Sequence, residues 1–259
     1  MPQPKGFKRR ILAGDAMIGC LINTASPLVA EVAAVSGYDF VMIDREHSPA
    51  DLSGALGMVQ AVETTPAACL MRVPANDPAE LKRAADLGIE GVMVPAIESA
   101  AAAGAAAEAS FYPPRGSRGM AAAVVRASGF GTRADYVATA ADELLLICQI
   151  ETRRGVANAA EIAASAGVDM LLIGPYDLSS DLGHPGEPDH PAAREAIREV
   201  ERAVKASGKL LGGIATSGRS TAQLLDAGYD LVLAGIDVLL LREACRAQLA
   251  GLPPRRSRR

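Results

Sequence analysis

Eight short runs of mostly apolar residues recur along the chain, with polar segments between them. Most of these runs do not alternate between apolar and polar positions, so most of them are apolar on both faces. This pattern is typical of strands that are buried on both sides, as in a parallel sheet. The runs occupy residues 17–23, 40–47, 67–73, 91–97, 144–151, 170–177, 209–215 and 231–238.

The segments between the runs carry helix signals, most clearly in "DPAELKRAADLG". Asp77 can serve as the N-cap, and Pro78 occupies the first helical position. Glu80 stands at the spacing of a capping box, and Gly88 ends the segment. The segment 190–209 has the same plan, with proline near its start and glycine near its end.

Strand followed by helix, about eight times, predicts an α/β protein with a (β/α)₈ barrel, formed by residues 1–259 as a single domain. An open doubly wound sheet is the alternative, but no G-x-G-x-x-G follows the first strand, which disfavours its dinucleotide-binding version. Residues 110–143 are too many for an ordinary loop, and we expect a functional or interfacial role there. The basic tail, 252–259, is expected to be disordered.

Composition and charge limit the classes of molecule that the protein is expected to bind. The chain has 259 residues, a formal net charge of −4 and no apolar run long enough to span a bilayer. We therefore expect neither nucleic acid nor a membrane as partner. The first residues lack the apolar stretch of a signal peptide, which predicts a cytoplasmic protein. The four cysteines are far apart in sequence, and they predict neither disulfides nor a thiolate zinc site.

Polar and charged residues stand directly after several of the apolar runs. In a (β/α)₈ barrel the carboxyl ends of the strands form the active-site face, so these residues are expected to converge on one cavity. The candidates, in chain order, are Asp44, Glu46, His47, Arg72, Gln149, Glu151, Gly174, Tyr176 and Asp177.

Glu151 and Asp177 follow adjacent predicted strands. Two neighbouring carboxylates repel each other unless a positive group lies between them. Carboxylate oxygens with open water positions suit Mg²⁺, Mn²⁺ or a similar hard ion. The alternative is that one carboxylate pairs with an arginine while the other caps the helix that follows it.

His47 is one of three histidines, and its position beside Asp44 and Glu46 favours a catalytic role over a structural one. Arg72 ends a buried strand, where a guanidinium needs an anion. Either Arg72 makes a structural salt bridge to Asp44 or Glu46, or it clamps a substrate carboxylate or a developing enolate.

Two other chemistries are disfavoured by the positions of lysine and glycine. Lys209 begins the seventh run, and none of the five lysines lies further inside a run or at its carboxyl end, whereas a Schiff-base aldolase needs such a lysine. The "GGIATSG" stretch after the seventh run superficially resembles a phosphate-binding loop. No matching glycine-rich turn follows the eighth run, so this signal is weak.

Seven segments carry a family resemblance: "IDREH", "RVPANDPAELKRAADLG", "VP", "YPPRGSRG", "QIETRRGVANAAEI", "GVDMLLIGPYDLSSDLG" and "HP". In this order and spacing they resemble the HpcH/HpaI group of metal-dependent class II pyruvate aldolases, such as 4-hydroxy-2-oxoheptanedioate and 2-keto-3-deoxy-sugar-acid aldolases. The resemblance extends from about Phe7 to Leu249. It implies a (β/α)₈ barrel, commonly assembled as a hexamer, with the last helix swapped between neighbouring subunits.

The resemblance also implies roles for individual residues. Glu151 and Asp177 look like ligands of a divalent ion, Mg²⁺, Mn²⁺ or Co²⁺. His47 looks like the catalytic base, and Arg72 like the group that stabilises the developing enolate. The residues expected to contact or support the substrate are Gln149, Gly174, Tyr176 through its backbone amide, Asp177, Asp44 and Glu46.

Asp86 falls on the acid that, in the family, strengthens the histidine base. It lies in the last turn of a predicted helix, where the helix dipole disfavours an anion. That end of the helix lies on the barrel face opposite His47. We therefore expect Asp86 to serve His47 of a neighbouring subunit.

The implied reaction is the reversible cleavage of a 4-hydroxy-2-oxo acid to pyruvate, or hydroxypyruvate, and an aldehyde, in aromatic or sugar-acid catabolism. A citrate-lyase-like acyl-CoA lyase is one alternative, although no concentrated basic patch for CoA lies near the predicted mouth. A barrel that binds a small acid without chemistry is the other. Arg45, Leu21 and Tyr176 depart from the family pattern, and we expect them to reshape the aldehyde pocket.

Overall fold

The computed structural model describes residues 5–252 and contains a closed barrel of eight parallel strands in the order β1 to β8. Each strand pairs with its neighbours in the chain, and β8 pairs with β1 to close the barrel. The predicted (β/α)₈ barrel is confirmed. The strands are β1 (Met17–Ile22), β2 (Phe40–Asp44), β3 (Ala68–Arg72), β4 (Gly91–Val94), β5 (Leu145–Ile150), β6 (Met170–Ile173), β7 (Leu210–Ile214) and β8 (Leu231–Ile236).

Helices surround the strands. They are α1 (Phe7–Leu12), α2 (Pro27–Val35), α3 (Leu52–Glu63), α4 (Pro78–Asp86), α5 (Ala100–Ser110), α6 (Tyr136–Glu143), α7 (Arg153–Ala157), α8 (Ala159–Ala164), α9 (Pro175–Asp181), α10 (Pro191–Ser207), α11 (Thr221–Asp226) and α12 (Asp237–Ala250), with a 3₁₀ turn at Arg126–Ser128. All of the basic tail after Leu252 lies outside the described residues.

Apolar side chains fill both sides of the barrel wall, as the continuous apolar runs predict. One cluster fills the barrel interior, and a second cluster lies between the strands and the helices around them. Helix α1 plugs the amino-terminal end of the barrel, because Phe7 and Ile11 join the interior cluster. The ring of Phe7 meets that of Phe40 edge-on, with 5.5 Å between ring centroids. The opposite end of the barrel, at the carboxyl ends of the strands, is where polar side chains gather.

Two local predictions are corrected by tertiary contacts. Strand β2 stops at Asp44, earlier than its apolar run suggests, because Asp44 accepts hydrogen bonds from the backbone of the next turn. Helix α4 has Asp77 as its N-cap, as predicted, but the capping box is wrong. Glu80 does not reach back to the Asp77 amide and instead accepts a 2.6 Å hydrogen bond from Arg45 Nη1.

Segment 110–143 forms a small cluster of its own beside the barrel. Its buried members are Tyr112, Val125, Ala127, Tyr136 and Ala140. Other apolar side chains of the segment, including Met120, Val124 and Phe130, are exposed. A role for this segment at an interface stays a prediction.

Helix α12 packs against β1 and β8 near its start, but its remaining apolar side chains face outward. Leu241 is 61% exposed, and Leu239, Leu240 and Leu249 are also exposed. A swap of this helix between subunits stays a prediction. Within residues 5–252, no helix is both long enough and apolar enough to cross a bilayer.

Candidate active site

Most of the predicted site residues meet at the carboxyl ends of strands β2, β3, β5 and β6. Asp44 and Arg72 are direct partners in the register of β2 and β3, so their side chains start at the same level of the barrel. Glu46 and Asp177 are near enough to Glu151 for their charges to contribute to the raised pKa of its carboxyl. Asp86 lies elsewhere and is described below.

Arg72 and Asp44 form a buried bidentate ion pair. Arg72 Nε donates to Asp44 Oδ1 and Nη2 donates to Oδ2, both at 2.8 Å. The two residues are 4% and 0% exposed, respectively. Burial favours the neutral form of Asp44, but the hydrogen bonds and charge of Arg72 outweigh this and hold the pKa of the carboxyl below its usual value.

Asp44 also shapes the turn that carries the next two candidates. Its Oδ1 accepts hydrogen bonds from the backbone N–H of Glu46, at 3.0 Å, and of His47, at 3.4 Å. On the other oxygen, Asn23 Nδ2 donates to Oδ2 at 2.6 Å. A single buried carboxylate therefore fixes both the guanidinium of Arg72 and the backbone that presents His47.

Glu46 lies between Arg72 and His47. Its Oε2 is 3.0 Å from Arg72 Nη1 and 3.7 Å from His47 Nε2, as ion-pair contacts rather than aligned hydrogen bonds. Burial raises the pKa of Glu46, against the lowering effect of Arg72 and His47. The His47 side chain is 57% exposed, so its imidazole is open to a substrate at the mouth of the barrel.

Glu151 follows β5 and is buried beside the candidate cation position. Its Oε1 accepts a 2.7 Å hydrogen bond from the backbone N–H of Ala96, and its Oε2 accepts one from Gln149 Nε2. Burial raises the pKa of Glu151 to about 7, and the neighbouring carboxylates Glu46 and Asp177 add to this rise. A carboxyl in this state takes up a proton or a cation readily near neutral pH.

Two backbone features make room for Glu151. Ala96 has a φ of 51°, a left-handed conformation that is strained for alanine and that turns its N–H towards the carboxylate. Gly174 borders the other side, where a Cβ atom would lie 2.7 Å from Gln149 Nε2 and 2.8 Å from Glu151 Oε2. Glycine is therefore required at position 174 to keep this space open.

Asp177 lies in the first turn of α9, next to Tyr176, and both are exposed. Its carboxylate makes no hydrogen bond or ion pair with any of residues 5–252, and it does not cap α9. The alternative in which one acid pairs with an arginine and the other caps a helix is therefore not what the structure contains. Asp177 is an open carboxylate near a buried one.

The donor set fits a hard divalent ion that shares its coordination with substrate and water. Among residues 5–252, no group of three histidine, cysteine or acidic side chains is arranged to hold a metal by itself. Gln149 Oε1 and Glu46 Oε2 are buried without a hydrogen-bond partner. The Nε2 atom of the same Gln149 side chain borders the space that Gly174 keeps open. Mg²⁺ is commonly bound by one or two carboxylates, with substrate and water completing the shell.

Asp86 ends α4 and has a partner within its own chain. Arg118 Nη2 donates to Asp86 Oδ1, and also to the hydroxyl of Tyr136 at 3.2 Å. This ion pair offsets the unfavourable position of an anion at the carboxyl end of a helix. The structure places Asp86 against segment 110–143, and a contact with His47 of its own chain is absent from the described residues.

Of the three departures from the family pattern, Arg45 does not face the site as expected. Its guanidinium is nearly buried against α4, where it pairs with Glu80. Leu21 lies in the barrel interior and Tyr176 is exposed near the mouth. Asn23 and Ala96 are site residues that the strand-end prediction missed. Asn23 ends the first apolar run, so the same rule applied to β1 would have identified it.

Comparisons with known proteins show the family to which the chain belongs. Residues 17–244 match the family described as HpcH/HpaI aldolase/citrate lyase. The chain is 38% identical over 244 residues to a hydroxypyruvate/pyruvate aldolase of Chromohalobacter salexigens, covering 94% of this chain and 96% of that protein.

Solved structures with a similar fold include two with substantial sequence identity. A crystal structure of an HpcH/HpaI aldolase/citrate lyase family protein from Burkholderia cenocepacia has a TM-score of 0.91 and 36% identity, covering 95% of this chain and 98% of that one. The citrate synthase SbnG has a TM-score of 0.86 and 26% identity, covering 95% of this chain and 96% of that one.

Proposed function

The chain belongs to the HpcH/HpaI aldolase/citrate lyase family and is a carbon–carbon lyase, and we propose that it reversibly cleaves a 4-hydroxy-2-oxo acid to pyruvate or hydroxypyruvate and an aldehyde. The observation that carries this proposal is Arg72, a buried guanidinium locked by Asp44 beside the carboxylates Glu46 and Glu151. A fixed positive group at a strand end suits a reaction in which an enolate develops there.

The cofactor in this proposal is a divalent ion, Mg²⁺, Mn²⁺ or Co²⁺, held by Glu151 and Asp177. The open carboxylate of Asp177 and the space that Gly174 leaves beside Glu151 support this assignment. When bound, the ion would supply positive charge to the keto and carboxylate oxygens of the pyruvyl unit.

The protein's own side chains then transfer the proton and stabilise the developing negative charge. His47 takes the proton of the C4 hydroxyl as the C3–C4 bond breaks, which leaves the aldehyde, and the bonding electron pair becomes that of the enolate. A proton taken up at C3 then converts the enolate to pyruvate or hydroxypyruvate. Arg72 faces the developing negative charge and does not need to reorient, because Asp44 holds two of its three nitrogens. In the condensation direction His47 returns the proton to the new hydroxyl.

Substrate contacts are proposed for Gln149, Gly174 and the backbone amide of Tyr176. Gln149 is buried and directs Nε2 to Glu151, which leaves its Oε1 without a protein partner. Gly174 allows close approach of a ligand to the backbone, because any side chain there would collide with Gln149 and Glu151. Asp44 and Glu46 support the site through Arg72 and the turn to His47.

Assembly as a homo-oligomer, a hexamer with α12 swapped between subunits, is part of the proposal. The exposed leucines of α12 support it, and so do the exposed apolar side chains of α2, Leu28, Val32 and Val35. Large exposed apolar patches on a protein are commonly interaction sites. Oligomerisation would also bring Asp86 of one chain to His47 of the next, as the family resemblance implies.

The test is a screen in both directions of the reaction. Pyruvate or hydroxypyruvate is paired with a panel of aldehydes, with and without Mg²⁺, Mn²⁺ and Co²⁺, and the 2-oxo acid products are identified by mass spectrometry. We expect condensation only with an added ion. Turnover of acetyl-CoA with a 2-oxo acid instead would favour an acyl-CoA lyase or a citrate-synthase-like activity. Binding of pyruvate without any turnover would favour a non-catalytic barrel.

A further inference from the structure

The turn that follows β7 holds a carboxylate from another segment of the chain. Asp189, which precedes α10, lies against residues 216–218 of this turn. Asp189 Oδ1 accepts a hydrogen bond from Thr216 Oγ1 at 2.9 Å, and Oδ2 accepts bonds from the Gly218 N–H at 2.9 Å and from Ser217 Oγ at 3.3 Å. Three donors of one short turn therefore converge on one carboxylate.

The turn is shaped to accept this group. Thr216 and Arg219 form an isolated antiparallel bridge that closes the turn. Gly218 lies so near to the carboxylate that a Cβ atom there would be 2.4 Å from Asp189 Cγ. Converging hydroxyl and backbone N–H donors around a close-approach glycine are the elements of an anion-binding site. Arg194 adds a weak ion-pair contact, 4.0 Å from Asp189 Oδ1.

Asp189 thereby fixes the segment 182–190, which connects α9 to α10. The same segment is tied to α9 at its other end, where the N–H of His184 donates to the carbonyl of Ser179 at 2.8 Å. The rings of His184 and His190 stack within the segment, with 3.4 Å between their centroids. The connector therefore links the turn after β7 to α9, the helix that follows Gly174 and carries Asp177.

We propose that the turn 216–218 is a carboxylate-sized anion cradle whose resident ligand is Asp189, and that this internal ligand positions the connector 182–190 and, through it, α9. The proposed effect on α9 rests on the proposed function of Asp177. The existence of the cradle does not depend on that function. The weak resemblance of "GGIATSG" to a phosphate loop thus has a physical basis, because the turn binds an anion that the chain itself supplies.

Formate is the probe, since it has the size and charge of the carboxylate that Asp189→Ala removes. A cavity of about 370 Å³, lined in part by Asp189, Arg194 and Thr216, borders the cradle and gives a small anion access to it. We expect formate to raise the melting temperature of Asp189→Ala more than sodium chloride does at equal ionic strength. This effect should saturate as the formate concentration increases. Wild type and Asp189→Asn, whose cradles are filled, are expected to show no such response.

Asp51→Ala is the matched control. Asp51 is an exposed N-cap whose carboxylate accepts one 2.7 Å hydrogen bond from the Gly54 N–H, with no second segment involved. Removing it costs stability but creates no cradle between two segments. A response of Asp189→Ala to formate no larger than that of Asp51→Ala would overturn the proposal.

A second measurement does not depend on Asp189→Ala folding well. Thr216→Val removes one donor from the opposite side of the cradle and is nearly isosteric. We expect amide exchange across residues 184–190 to become faster by about tenfold in Thr216→Val and in Asp189→Asn, since hydrogen bonds to a charged group are lost. Unchanged protection of these amides in both variants would overturn the proposal.

Turnover separates the cradle from its effect on the site. If wild type is an aldolase, Asp189→Ala should lose activity and regain part of it in formate, while Asp51→Ala should show no recovery. If wild type has no aldolase activity, the proposed function fails, and the melting and exchange results still decide on the cradle. Saturable formate binding with no recovery of an established aldolase activity would overturn the positioning of α9.

Discussion

The guanidinium of Arg72 and the carboxylate of Asp44, partners in the register of two neighbouring strands, share two parallel 2.8 Å hydrogen bonds. The pair is buried at the end of the barrel where the other candidate residues lie. Because Asp44 also accepts the backbone N–H groups of Glu46 and His47, the pair fixes the backbone position of two further site residues. Its geometry is therefore the first feature to test.

Arg72→Lys keeps the charge but loses the planar fork that meets Asp44. We expect turnover to fall by roughly 10²-fold or more, the scale seen when one preorganised donor is removed from an active site. Steady-state kinetics at saturating metal measure this loss, and bound metal should be unchanged. Near-normal turnover would leave Arg72 as a structural ion pair.

Asp44→Asn serves as the comparison for stability. It leaves the Arg72 guanidinium buried beside Glu46 without its bidentate partner, and breaking such a pair costs about 3–5 kcal/mol. We expect urea denaturation to detect this loss, whereas Arg72→Lys retains a charge near Asp44 and should lose less. Equal losses in both variants would contradict this expectation, because the charge retained in Arg72→Lys would then contribute little and the fork geometry would carry the stabilisation.

The sequence was informative about this site because strand ends in a barrel converge. Arg72, Gln149 and Glu151 follow apolar runs directly, so their common location could be predicted without knowing any distance. Which of these side chains pair with one another could not be predicted. Whether Arg72 meets Asp44 or Glu46 depends on strand register and on the turn after β2, and the structure gives both contacts with different geometry.

Chelation is expected to abolish activity. Glu151 and Asp177 are the proposed ligands, and none of the five lysines of the chain lies at the carboxyl end of a strand to form a Schiff base instead. EDTA followed by dialysis should remove turnover, and Mg²⁺, Mn²⁺ or Co²⁺ should restore it. Borohydride trapping of a pyruvate adduct in the chelated protein would contradict the prediction, because it would reveal an imine.

The raised pKa of Glu151 predicts a pH dependence of stability in the chelated protein. Burial raises this pKa from 4.5 to about 7, so the folded state binds a proton that the unfolded state releases. The resulting contribution to the free energy of unfolding is present below about pH 4.5 and is lost as pH rises towards about 7. Its size is roughly 3 kcal/mol at most.

Glu151→Gln removes this contribution, because the amide does not titrate. Relative to wild type in EDTA, the variant should gain stability between about pH 5 and about pH 8, measured by urea denaturation. Adding Mg²⁺ should stabilise wild type at the higher pH, where the ionised carboxylate binds the ion, and should have little effect on the variant. A pH-independent difference between the two proteins would contradict the assignment.

Other features of the fold could not be predicted from the sequence, and each has its own physical reason. Ala96 contributes only a backbone N–H, held by a left-handed conformation that nothing in an alanine predicts. Glu80 has the spacing of a capping box, but Arg45 competes for it from a distant strand end. The pairing of Asp86 with Arg118 is not predictable from the sequence, because Arg118 is 32 residues away in a segment without regular periodicity.

Leu241→Glu is expected to weaken the oligomer. Leu241 is 61% exposed on α12, and a carboxylate there would be buried without a partner if the helix packs on a neighbouring subunit. Light scattering should show a smaller mass than for wild type. Gln248→Glu, an exposed polar position of the same helix, is the control and should leave the mass unchanged. An unchanged mass for Leu241→Glu would argue against a role of α12 in assembly.

The last prediction concerns Asp86, which pairs with Arg118 in its own chain and is proposed to support His47 of a neighbour. Asp86→Asn is nearly isosteric and retains an oxygen for Arg118, so we expect folding without full activity. His47→Ala should be inactive because the base is lost. Neither variant alone contains a complete site if the two residues act across subunits.

Refolding the two inactive chains together provides the test. Where a His47→Ala chain donates its intact Asp86 to the intact His47 of an Asp86→Asn chain, the site regains both groups, so partial activity should return. Mixing His47→Ala with Arg72→Lys is the matched control, because both residues belong to the same mouth and no mixed site receives both intact. Mass spectrometry of the native assemblies verifies mixing. Verified hetero-oligomers with no recovery beyond the control would mean that Asp86 acts within its own chain, as a structural partner of Arg118.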